Sequence, residues 1–86
     1  MPDTTQHSMT LDEARKRFPP MWVVYDHPAD YPDHFVVRLW YGLTREEAAT
    51  PCGNLVEARE YIATQGGCVP FGRYDEDDPV ILEFWL

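Results

Sequence analysis

Basic residues are scarce in this chain: one Lys and six Arg stand against 15 Asp and Glu in 86 residues, a formal net charge of −8. Residues 1–20 are balanced, with Asp3, Asp12 and Glu13 against Arg15, Lys16 and Arg17, so the whole excess falls on residues 21–86. Such a surface repels phosphate backbones and anionic lipid, both of which are held by clustered Lys and Arg. The single basic cluster, Arg15-Lys16-Arg17, lies beside Asp12 and Glu13 and reads as the solvated side of a short helix. Direct nucleic-acid and membrane binding are therefore not expected. Serine is reduced to Ser8, in a polar leader without the Gly-x-Ser-x-Gly frame of a hydrolase nucleophile. Of five Gly, the pair Gly66-Gly67 has neither the spacing nor the following helix of a phosphate loop, and it reads as a helix stop. Cys52 and Cys68 make no Cys-x-x-Cys pair and are too few for a disulfide framework, so both are expected reduced, Cys68 in the core. A zinc site would have to recruit His27 or His34 without the usual spacing. No apolar run approaches the ~20 residues of a membrane span, and the start Met1-Pro2-Asp3-Thr4-Thr5-Gln6-His7 lacks the basic and apolar parts of a signal peptide. The expectation is a cytoplasmic protein.

What is present suffices for one small core. Hydrophobic residues make up 44% of the chain, among them three Trp, five Tyr and four Phe. A chain of this mass buries about 64% of its unfolded surface. Residues 1–9 are polar and without periodicity, and are expected to form a disordered tail; residues 10–86 form a single α+β domain.

Hydrophobic period and cap chemistry place the elements. Thr10 and Glu13 form a capping box ahead of Leu11, Ala14 and Phe18, predicting a short helix over 11–17 that Pro19-Pro20 ends. Met21-Trp22-Val23-Val24-Tyr25 is a strand, and residues 26–33, with two Pro and four Asp, are a loop. Residues 34–41 alternate as a strand, Phe35, Val37, Leu39 and Tyr41 on the core side and Val36, Arg38 and Trp40 on the other. Thr44-Arg45-Glu46-Glu47 repeats the capping signature and predicts one helical turn before Thr50-Pro51. Asn54 caps the principal helix, 55–65, with Leu55, Ala58 and Ile62 as its stripe and Val56 or Tyr61 at the edges. Residues 68–71 can form an edge strand around Pro70, and residues 80–86 alternate, Val80, Leu82, Phe84 and Leu86 inward against Ile81, Glu83 and Trp85. The economical architecture is a mostly antiparallel four-stranded sheet, the main helix packed on one face, with a short N-terminal helix.

The stretch Val24-Tyr25-Asp26-His27-Pro28, then Asp30-Tyr31-Pro32 and Phe35-Val36-Val37-Arg38, with the ending Asp77-Asp78-Pro79-Val80-Ile81-Leu82-Glu83 and Trp85-Leu86, resembles small proteins of unassigned function found in bacteria and their phages. The resemblance implies a phage-related or accessory role and carries no functional residues with it.

The polar constellations are weak as chemistry. Asp26, His27, Asp30, Asp33 and His34 have the ligand types for a divalent ion, but turn acids in a Pro-rich loop are equally served by local backbone hydrogen bonds. Asp75, Glu76, Asp77 and Asp78 lack the calcium-loop frame and read as a charged turn that discourages edge-to-edge association. Glu83 is placed to pair with Arg38 if their strands are neighbours. No catalytic, cofactor-binding or metal residue is assigned, and no cofactor is expected. With no room for a deep pocket beside a sound core, enzyme or metal-binding activity ranks last.

Trp40 and Trp85, with Val36 and Ile81, define an apolar area on the sheet face away from the main helix, rimmed by the acids 75–78. Apolar patches with polar rims mark protein contacts, and Trp is a favoured anchor. The expected function is thus a non-catalytic protein-binding or accessory domain, contacting a protein partner or its own copy. The alternative is an acidic nucleic-acid mimic that occupies the basic groove of a nucleic-acid-binding protein. The competing use of the same face is internal: Leu11, Ala14 and Phe18 of the first helix can cover it.

Overall fold

The computed structural model describes residues 9–72 and 79–86. Its elements are α1 (Leu11–Arg17), β1 (Pro20–Asp26), β2 (Phe35–Tyr41), β3 (Thr44–Arg45), β4 (Thr50–Cys52), α2 (Leu55–Gln65), β5 (Pro70–Gly72) and β6 (Ile81–Trp85). This is an α+β fold with a mostly antiparallel sheet, one main helix and a short N-terminal helix.

The strand order is β3-β2-β1-β6-β5, and β4 pairs with β2 beside β3. β1 and β2 pair over their full length, from Pro20 opposite Tyr41 to Asp26 opposite Phe35. The outer edge of β2 is shared: β3 takes Trp40 and Tyr41, and β4 takes Phe35 to Val37. β6 inserts the C-terminal segment between β1 and β5, so the apolar terminal strand is paired on both sides.

The helices end where their caps dictate. The Thr10 hydroxyl accepts from the Glu13 amide while the Glu13 carboxylate accepts from the Thr10 amide. The Asn54 side chain accepts from the Glu57 amide at 2.9 Å, and Gly66 closes α2 at φ +106°, a left-handed cap that favours Gly. Gly67 follows with its amide on the Ile62 carbonyl, and a Cβ there would stand 2.3 Å from the Ile62 side chain. The chain can therefore turn back under α2 only because this residue has no side chain.

α2 lies across β2 and β4. The core beneath it is Trp22, Val24, Val37, Cys52, Ala58 and Ile62, with Leu39, Leu55, Tyr61, Leu82 and Trp85 packed around it. Tyr61 joins this set, while Val56 stays exposed.

Three local expectations are corrected. Residues 44–47 form no helical turn: Gly42 adopts φ +62° in a two-residue hairpin joining Tyr41 to Thr44, and Thr44–Arg45 becomes β3. The cap-like residues are thus consumed by sheet pairing, and the Glu46 amide extends it to the Leu39 carbonyl at 2.9 Å. Residues 50–52, read only as a breaker, form the edge strand β4, where Pro51 needs no inward amide. Cys68, expected in the core, is exposed, and it is Cys52 that is buried under α2, both as free thiols. His27, before Pro28, adopts the left-handed region at φ +50°.

Candidate functional site

Cross-strand pairs share a face, so the register sorts the side chains. Trp22, Val24, Val37 and Leu39 face α2; Met21, Val23, Tyr25, Val36, Arg38 and Trp40 face the opposite way. In β6, Phe84 pairs with Val23 and Trp85 with Trp22, but Glu83 pairs with Val24 and Ile81 with Tyr25, so β6 carries one extra residue, Leu82, opposite the Val24–Tyr25 step. That β-bulge leaves Leu82 and Glu83 both on the helix side, Leu82 in the core and Glu83 bonded to Arg59 of α2.

The bulge reverses the expected phase of the last strand. Trp85 does not stand beside Trp40: it lies opposite Trp22 against the core, its indole N–H donating to Glu83 at 2.7 Å. Phe84, expected inside, is on the open face, stacked on Phe71 with ring centroids 5.2 Å apart. Ile81 keeps the expected face because it precedes the bulge. Val36 is on that face but fully buried, so it offers no contact surface. Beside it the guanidinium of Arg38 is held by the Asp30 carboxylate from the β1–β2 loop and by the Glu47 carbonyl. The expected Arg38–Glu83 pair is absent, since these residues stand on opposite faces; Glu83 pairs with Arg59 at 2.8 Å instead. Asp75, Glu76, Asp77 and Asp78 lie outside the described residues.

The open face is a shallow groove of about 240 Å³ lined by Met21, Val23, Tyr25, Trp40, Ile81 and Phe84, with Gly42 and Leu43 at one end. Its polar atoms are satisfied internally: the Trp40 indole donates to the Tyr25 hydroxyl at 3.1 Å. Arg45 stands over the Trp40 ring, 5.9 Å from its centre. Leu43 is 96% exposed. Neither helix contributes to the lining among the described residues. α1 packs instead on β2 and β3, with Arg15 bonded to Glu46 at 3.0 Å and over the Tyr41 ring, and Phe18 against Gly42. The first helix is thereby spent at the β2–β3 end and leaves the groove open.

A second cleft, about 280 Å³, lies on the helix side between Trp22, Leu39, Tyr41, Glu46, Tyr61 and Gln65. Its floor is core, and the Glu46 carboxylate is already committed to Arg15. In the β1–β2 loop, Asp30 turns to Arg38, while His27 bonds Asp26 and sets its ring edge-on to Phe35, 4.8 Å between centres. Among the described residues no three His, Cys, Asp or Glu converge as ligands.

Sequence reasoning missed Phe84, Phe71, Met21, Tyr25 and Leu43 as members of this face. Gly42-Leu43, a Gly-x pair between strand-forming residues, was the available signal for the hairpin that exposes Leu43. Nothing in the alternation of 80–86 signals the bulge.

Burial pushes the Cys52 thiol up, reinforced by the nearby Glu57 charge, so it is a poor nucleophile. The Arg59 guanidinium, helped by the Trp85 N–H, holds the Glu83 carboxyl below its ordinary range against the opposing effect of burial. Both perturbed groups serve packing on the helix side. No helix among the described residues is long and apolar enough to cross a membrane. No protein-family model, curated protein or solved structure matches the chain.

Proposed function

We propose that the chain is a non-catalytic protein-binding domain that receives its partner on the sheet face opposite α2. One observation carries the reading: the groove between Trp40, Tyr25, Ile81 and Phe84 is apolar, open and left uncovered by both helices. A sheet buries its two faces against other layers, and among the described residues this one has a helical layer on one side only. The described lining holds no acid, base or nucleophile apart from the Tyr25 hydroxyl, which already accepts from Trp40. Nucleic-acid mimicry receives less support, because the carboxylates of Asp30, Glu46 and Glu83 are each paired with an arginine.

The test is placement of a photoactivatable crosslinking residue at position 43, beside the groove, and separately at position 60, on the exposed side of α2. The crosslinking is run in bacterial cells, the setting that the sequence resemblance implies. Position 43 should give a discrete adduct that position 60 does not, and Trp40→Ser should abolish it. Equal adducts from both positions, or none from position 43, would overturn the reading.

A further inference from the structure

We infer that the occupant of the open face is a short amphipathic α-helix of a partner protein, with aliphatic side chains in the groove and basic side chains toward the β1–β2 loop. This rests on the protein-binding reading and names the chemistry of its partner.

Size comes first. From Met21 to Tyr25 the open face runs about 13 Å along the strands, and from Trp40 across the groove to Phe71 beside it the face spans four strands, about 15 Å. That is about 200 Å², far below the ~800 Å² each partner gives to a standard interface, so two copies meeting on this face would not make a stable dimer. A net charge of −8 on each copy opposes that pairing further. The N-terminal segment of the same chain is also unsuited: residues 1–8, Met-Pro-Asp-Thr-Thr-Gln-His-Ser, bring one large apolar side chain and no amphipathic period. A helix about 10 Å across, with two to three turns in contact, matches both dimensions. It would also supply a second layer on the face that the described helices leave uncovered.

Charge sets its orientation. The groove has two unlike ends. At the Met21–Trp40 end stands Arg45, over the indole. At the Tyr25–Ile81 end the strands run out into the β1–β2 loop, where Asp33 is exposed and Asp30 is taken by Arg38, while Asp26 falls on the helix side and is bonded to His27. Basic residues on the partner therefore belong at the loop end, and any acidic one beside Arg45.

The experiment titrates the isotopically labelled full-length protein with three synthetic peptides of equal length. One is helical, with a leucine face and lysine flanks; one has glutamate in place of lysine; the third has the lysine composition scrambled so that no apolar face forms. The Leu/Lys helix should bind saturably, at least about tenfold tighter than either other peptide, and shift resonances of Tyr25, Trp40, Ile81 and Phe84. Trp40→Ser should weaken it about tenfold. Leu43→Ser, at a 96% exposed position that cannot matter to the core, should weaken it severalfold and keeps the test valid if the tryptophan variant loosens the fold. Equal binding of the Leu/Glu helix overturns the basic partner while sparing the protein-binding reading. Equal binding of the scrambled peptide reduces the interaction to charge alone. No shift on this face with any peptide removes both the proposal and the reading beneath it.

Discussion

The two faces of this sheet are made from the same strands and nearly the same residue types, yet they have different fates. The helix side holds Trp22, Val24, Val37, Ala58 and Ile62, all at most 6% exposed. The other side carries Met21, Tyr25, Trp40, Ile81 and Phe84, equally apolar and only partly buried, around a centre of Val23 and Val36 that is buried. Apolar content alone therefore does not decide what is core; the number of covering elements does. Among the described residues one long helix covers one face, and the seven-residue α1 is fixed away from the other by Arg15 on Glu46 and Phe18 on Gly42.

The sharpest way to break the contrast is to remove a side chain from the sealed face. Ile62→Ala leaves a cavity between α2 and the sheet, with an expected cost of about 3 kcal/mol in chemical denaturation. That is a large share of the roughly 4–13 kcal/mol available to a chain of this length. Cys52, buried and with its thiol pushed up, reports the same event independently: alkylation should be slow in the parent and fast in this variant, whereas exposed Cys68 labels quickly in both. An Ile62→Ala protein of unchanged stability would mean that α2 contributes little to holding the sheet.

A smaller effect separates the two tryptophans. Trp85→Ala should cost about 2–3 kcal/mol, because the ring packs on the core beside Trp22. Trp40→Ser should cost about 1 kcal/mol, chiefly its bond to the Tyr25 hydroxyl and partial burial. Equal costs would place both rings in one environment, which is what the alternation of residues 80–86 suggests without the bulge. The bulge is also why this part of the site could not be read in advance. Strict period two assigns Phe84 inward and Trp85 outward, and a single extra residue at Leu82 exchanges them without leaving any mark in composition. Helix ends were legible because caps are local: Thr10 with Glu13 and Asn54 with Gly66 act within a few residues of the backbone they terminate. The segment 44–52 was misread for the complementary reason. Thr44 to Glu47 carries a local helix signal, but the Gly42 turn delivers it to the free edge of β2, and long-range pairing prevails. Of the expected contact residues, Trp40 and Ile81 line the groove, whereas Val36 is sealed and Trp85 belongs to the other face.

Gly42 tests the junction between the faces. Its φ of +62° and the Phe18 ring 2.9 Å from where a Cβ would stand make Gly42→Ala unfavourable on two counts, at about 1–2 kcal/mol. The substitution should also loosen α1, seen as faster amide exchange at Ala14 and Phe18, whose amides close the helix on the Thr10 and Ala14 carbonyls. Exchange confined to the β2–β3 turn, with α1 unaffected, would show that Phe18 does not anchor the helix.

The smallest expected effect lies at the bulge, where a charged group sits on the sealed face. Glu83 is only 12% exposed at its side chain, accepts from both nitrogens of the Arg59 fork and from the Trp85 indole, and has its carboxyl held below the ordinary range chiefly by Arg59. A carboxyl that is more acidic folded than unfolded stabilises the fold above its unfolded value, about 4.3 for Glu. That contribution disappears as pH falls through the lower folded value and the carboxylate is protonated. The stability gap between the parent and Glu83→Gln should therefore be full at pH 7, begin to close below about pH 5 and vanish in stronger acid. All other carboxylates are common to both proteins, so the difference isolates this one. Salt should narrow the gap at neutral pH, because the Arg59 side chain is half-exposed. A gap that stays constant down to acid pH would mean the bulge is held by the packing of Leu82 and Trp85 alone, with the ion pair a passenger on a face sealed by apolar contact.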